Sequence, residues 1–185
     1  METMTVAERM TAQEFLALPE RRWAQLIEGE VVVSQPSPRH QRATARVWRA
    51  LDAWCAAASG RGEAMWPLDV GLDTGNIYAP DVLWYRSGRQ PADGDAPPFP
   101  LPDLAVEVRS PSTWRYDIGI KKSAYERHGL PELWLVDTAA AVVLVFRRSK
   151  PAAPSFDVSE ELASGDTLTS PLLPGFALTL DALFG

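Results

Sequence analysis

Helix and strand patterns alternate along the chain, and no internal repeat interrupts them. Thr11 with Glu14 forms a capping-box pattern ahead of Phe15, Leu16 and Leu18, and Pro19 stops the short helix this predicts. Two apolar runs around a glycine, Leu26-Ile27 and Val31-Val32-Val33, predict a strand pair or one bent strand. Ser37 as cap and Pro38 in the first turn open the longest predicted helix, Pro38 to Ala58, which ends near Gly60.

Met65 to Leu72 and Ile77 to Tyr85 read as two strands joined through Thr74-Gly75-Asn76. Residues 86–102 are rich in proline and predict a loop, after which Leu104 to Val108 is a short buried strand. Helical spacing runs from Tyr116 to His128, closed by Gly129 and barred from continuing by Pro131. Glu132 to Asp137 and Ala141 to Arg148 predict two strands. Weaker strands follow near Phe156 and from Phe176 to Leu180. The expectation is an α/β fold in one domain, a sheet flanked by helices.

Composition narrows this only slightly. The 185 residues suit one domain, and 46% apolar with 23% charged residues is ordinary for a soluble globular chain. No apolar run approaches the ~20 residues of a membrane helix, and the start of the chain lacks the apolar stretch of a secretory signal. One cysteine, Cys55, makes no internal disulfide, so a cytoplasmic protein is expected. The net charge of -6 has the wrong sign for a protein that coats nucleic acid, so any such partner must meet a local basic face.

The chemistry-bearing residues are Pro80-Asp81, Glu107-Val108-Arg109 and Lys121-Lys122. Asp81 and Glu107 each fall within an apolar strand pattern, where a carboxylate is costly without a positive partner. On neighbouring strands the two would suit a divalent cation held through oxygen. Such an ion can polarise a phosphodiester, and a nearby lysine can stabilise the charge that grows on phosphorus. Spacing alone equally allows strand carboxylates that meet a sheet edge or a structural arginine.

With these residues stand Leu26-Ile27-Glu28-Gly29-Glu30, Pro36-Ser37-Pro38-Arg39-His40, Ala79-Pro80-Asp81-Val82 and Pro102 to Val108. Ser110-Pro111-Ser112-Thr113, Tyr116-Asp117, Lys121, Tyr125, Gly129 to Trp134 and Leu173-Pro174-Gly175 continue the series. In this order and spacing the chain resembles the Uma-type family of restriction endonucleases, within the PD-(D/E)XK nuclease superfamily, over roughly residues 10–180. The resemblance implies a restriction-endonuclease-like core, a central mixed sheet flanked by helices. It further implies a magnesium-dependent endonuclease acting on nucleic acid, DNA being the expected form, with manganese able to replace magnesium. Asp81 and Glu107 would be the metal ligands. The motif lysine, displaced in this family from the strand to the following helix, maps onto Lys121. The position two after Glu107 holds Arg109, on the same strand face, a candidate phosphate contact or ion-pair partner. Relatives often carry glutamate just before the Leu-Ile pair, where this chain has Gln25. That departure motivates the alternative of a weak or inactive nuclease-fold binding module, with Glu28 and Glu30 either compensating or simply solvated.

Arg39, Arg42, Arg46 and Arg49 recur at helical steps and form one stripe, able to track a phosphate backbone or to stand as a solvated face. Ala43, Val47, Ala50, Leu51 and Trp54 form the adjacent apolar stripe. Asp103 is expected to cap or solvate the loop exit, Asp69 and Asp73 to lie on the surface, and His40 to be an exposed helix-start residue. His128 is expected at a helix C-terminus. Trp54 and Trp134 read as core, whereas Trp23, Trp66 and Trp114 have no assigned place. The apolar strands Leu133 to Val136 and Val142 to Phe146 serve either the core or the interface of a homodimer.

Overall fold

Two β-sheets share a corner at Ala79-Pro80-Asp81, and everything that positions the site follows from that corner. The computed structural model describes residues 9–185. After α1 (Ala12–Leu16) come β1 (Ala24–Ile27) and β2 (Glu30–Val33), then α2 (Pro38–Ala56), β3 (Glu63–Met65), β4 (Val70–Asp73), β5 (Asn76–Tyr78), β6 (Val82–Tyr85) and β7 (Leu104–Val108). The following helix is made of α3 (Trp114–Tyr116), a π-helical segment (Asp117–Lys121) and α4 (Lys122–Arg127). The chain ends with β8 (Glu132–Asp137), β9 (Val142–Arg147), β10 (Val158–Leu162), β11 (Thr167–Leu168), β12 (Leu178–Thr179) and α5 (Leu180–Phe184).

The larger sheet has the order β10-β9-β8-β7-β6-β3, mixed because only β7 and β8 run parallel. The smaller sheet, β2-β1-β5-β4, is antiparallel throughout. Its outer hairpin turns at Glu28-Gly29, where both residues take positive φ (49° and 79°) and the two-residue loop gains the twist an antiparallel pair needs.

The two apolar runs expected as single strands are each divided between the sheets. Met65 to Leu72 becomes β3 in the larger sheet and β4 in the smaller; Ile77 to Tyr85 becomes β5 in the smaller and β6 in the larger. Prolines mark both breaks, Pro67 and Pro80, because a residue without an N–H cannot carry a ladder onward. Asp81 therefore sits at the corner just before β6, not within a strand.

Strand alternation splits the core in two. Val106 and Val108 of β7 face α2, Trp134, Val136 and the C-terminal segment. Ala105 on the opposite face packs with Tyr78, Ala124, Tyr125, Leu133 and Leu135. Leu133 to Val136 are fully buried, so β8 serves the core. No helix among the described residues is long and apolar enough to cross a membrane.

Candidate active site

Strand register brings the two sequence-distant acids together. Val82 lies opposite Val106 and Leu83 opposite Ala105 in the antiparallel β6–β7 pair. Continuing that register one step past the ladder sets Asp81 across from Glu107. Asp81 is fixed there by the Val108 N–H, which donates to its Oδ2 (2.7 Å). Both acids line one cleft of about 200 Å³ at the meeting of the two sheets.

Glu107 points away from the valines, into the face covered by the π-helical segment and α4. Lys121 Nζ is 2.7 Å from Glu107 Oε1 and 2.9 Å from Asp117 Oδ1. The Tyr125 hydroxyl donates to the same Glu107 Oε1 (2.7 Å), so Oε2 is left without a protein partner among the described residues. Asp117, Lys121 and Tyr125 stand four residues apart in succession and share one helix face. Thr113 donates to Asp117 Oδ2 (3.3 Å), and its hydroxyl is 2.6 Å from that of Ser110.

Burial dominates the electrostatics. It pushes Glu107 up to about 8, against the pull of the Lys121 ammonium. Asp117 is likewise raised by burial, opposed by Lys121. For Lys121 burial alone favours the neutral amine, but the carboxylates of Asp117 and Glu107 outweigh it and hold the group above its ordinary value. The lysine is thus a fixed cation. Its Nζ also lies 5.5 Å from the centre of the Tyr78 ring.

His40 corrects an expectation. It is buried, and its Nε2 lies 3.0 Å from Asp81 Oδ1. Burial disfavours the imidazolium, yet the hydrogen bond and charge of Asp81 overcome this and raise it. The physical reason is helical phase: His40 precedes Ala43, Thr44, Val47 and Leu51 on the buried face of α2. Asp103 is a second correction, since it is buried in ion pairs with Arg86 (2.8 Å) and Arg89 (2.6 Å) that anchor the proline-rich loop. Asp69 pairs with Arg21 at the cleft edge (3.4 Å). Asp73 is exposed, and His128 Nδ1 is 2.8 Å from the Ala124 carbonyl near the end of α4.

Arg109 forms an ion pair with Asp137 (2.8 Å), and its guanidinium lies 5.5 Å from the Trp114 ring centre. Of the stripe on α2, Arg39, Arg42 and Arg49 are exposed, while Arg46 donates to the Leu183 carbonyl (2.9 Å). Gln25 reaches the cleft from β1 and accepts from the Ala79 N–H (3.0 Å), which braces the corner before Asp81. Glu28 and Glu30 are exposed on the hairpin.

The donor set suits a hard cation. Among the described residues no three His, Cys, Asp or Glu side chains converge as a closed metal centre. Magnesium, however, commonly takes only one or two carboxylates and completes its shell with water and substrate oxygens. Asp81, partly exposed, and Glu107 with Oε2 free, offer that pair.

A family model described as "Uma2: Putative restriction endonuclease" matches residues 12–181. Among solved structures the chain is similar to "a putative nuclease belonging to DUF820" from Anabaena variabilis ATCC 29413, with 20% identity and a TM-score of 0.76. That match covers 95% of this chain and 97% of the other. At this identity it establishes the shared fold. No curated protein matches the chain.

Proposed function

The chain belongs to the Uma2 family of restriction endonucleases, and on that premise we propose that it is a magnesium-dependent endonuclease that cuts phosphodiester bonds of DNA in the cytoplasm. The observation that carries the reading is one cluster: Asp81 beside Glu107, both lining one cleft, with the buried Lys121 Nζ 2.7 Å behind Glu107 Oε1.

In this reading Asp81 and Glu107 hold the magnesium ion. When bound, it supplies a Lewis acid for the phosphoryl oxygen and lowers the pKa of water. The protein's own groups do the rest. Tyr125 and Lys121 pin Glu107 through Oε1, which leaves Oε2 as the oxygen that would hold a cation. His40 and the Val108 N–H orient Asp81. Lys121, held as a cation by two carboxylates, stabilises negative charge developing on the phosphoryl group and does not act as a base. Arg21 lines the cleft itself, and exposed Arg39 and Arg42 flank His40 at the start of α2, where they would meet the flanking phosphates.

Gln25 favours a second reading, a nuclease-fold module that binds without cutting, because a neutral amide stands in the cleft with its oxygen already occupied by Ala79 N–H. Incubating plasmid and linear DNA with wild type, D81A and K121A in magnesium decides between them. The endonuclease reading expects cleavage by wild type alone. Cleavage that persists in D81A removes the proposed site, and none in any protein favours the binding module.

A further inference from the structure

The cleft has an aromatic rim that the metal chemistry does not use. Trp23 lines the same cleft as Asp81 and Glu107, yet its side chain is 51% exposed. Its backbone is left-handed, with φ of 62°, a conformation sterically costly for a bulky side chain and retained where the surroundings enforce it. Two hydrogen bonds enforce it here. The Ala24 N–H donates to the Arg21 carbonyl (2.9 Å), and the Ser34 N–H donates to the Trp23 carbonyl (2.8 Å). The chain thus holds a large indole out of the core, at the entrance to the acids.

Trp66 is also exposed, but it stacks on Trp48 with ring centres 4.8 Å apart. Trp23 has no aromatic partner among the described residues. The exposed Arg22 guanidinium lies 5.7 Å from its ring centre, where it can meet a phosphate next to a stacked base.

We infer that Trp23 is a stacking platform for an unpaired nucleobase, and that the preferred substrate is single-stranded or locally opened DNA. The inference rests on the endonuclease reading for its location and goes beyond it in naming the form of the substrate. On an acidic chain the general charge attraction to a duplex is weak, and an exposed π-face with Arg22 beside it adds sequence-tolerant stacking that only an unpaired base can accept.

The test is fluorescence anisotropy with three labelled probes: a 12-residue oligothymidylate, the same backbone carrying abasic residues, and a duplex of equal length. Calcium replaces magnesium so that no strand is cut, and each titration is repeated with chelator. Wild type should prefer the base-bearing strand to both other probes. W23A should lose roughly tenfold on that strand, the scale of one base on an aromatic ring, and bind the abasic strand as wild type does. W23F should keep most of the affinity, with melting curves of all three proteins superimposed.

Equal binding by W23A and wild type, an equal loss on the abasic strand, preference for duplex, or no binding by wild type each overturns the inference. Its fate is separable from that of the cleavage reading. Trp23-dependent binding without cleavage keeps the platform and removes the hydrolysis; magnesium-dependent cleavage with unaltered binding by W23A does the reverse.

Discussion

The two faces of β7 divide the molecule between stability and chemistry. Val106 and Val108 turn toward α2, Trp134 and Val136, in a cluster dominated by apolar side chains whose burial is favourable. Glu107, between them in sequence, turns the other way into a buried cluster of Asp117, Lys121 and Tyr125. There, desolvation opposes the charges, and only mutual pairing makes them tolerable. One strand therefore carries a face that holds the fold together and a face that the fold must support.

The sharpest way to break this comparison is E107Q. It should lower magnesium-dependent cleavage at least about 1,000-fold, about 4 kcal/mol of barrier, while the melting temperature changes little because burial already favours the uncharged form of Glu107 and Lys121 keeps Asp117. A nuclease assay beside a thermal melt checks both halves. W134A should do the opposite. Trp134 is fully buried, stacks on Phe176 and donates to Glu132, so its loss should cost about 3–5 kcal/mol in urea unfolding and leave the cleavage rate of the folded protein unchanged.

K121M should cross the boundary. It leaves Glu107 and Asp117 buried without their cation, so unfolding free energy should fall by about 3 kcal/mol together with activity. Outside both faces, D137N should cost about 1 kcal/mol at neutral pH by weakening the Arg109 pair and the bonds from Ala139 and Ala140 N–H. Burial opposes these contacts, yet together they hold the Asp137 carboxyl below its ordinary range. Its stabilisation is present above the unfolded-state value and fades as pH falls toward the folded one. Wild type and D137N should therefore converge in urea titrations once the pH has fallen below the ordinary aspartate range and through the lowered folded-state value. The smallest effect expected is from Q25E, a few-fold gain in cleavage if an acid beside Ala79 strengthens the cation site.

Much of this arrangement was legible in the residues, and the failures have physical causes. Ser37 and Pro38 fixed the start of α2 because a cap and a preset φ are local signals. The pairing of Asp81 with Glu107 was legible as two acids on neighbouring apolar segments, but the corner at Pro80 was not, since Ile77 to Tyr85 is apolar on both sides of it. His40 extends the buried stripe of Ala43, Val47 and Leu51, a helical phase that its polarity and its place at the helix start mask in the sequence. Asp117 and Tyr125 lie four residues either side of Lys121, a spacing that could have joined them to the site. Asp103 was illegible: its partners Arg86 and Arg89 reach it across a proline-rich loop that no periodicity describes.

The capture of one divalent ion by the two acids beside Lys121 is the step on which the proposed chemistry depends. Isothermal titration of manganese into wild type, D81A and E107Q measures this without reference to cleavage. One specific site in wild type, lost in both variants, is the predicted result. Binding of equal strength and stoichiometry in all three proteins, or none in wild type, would contradict it.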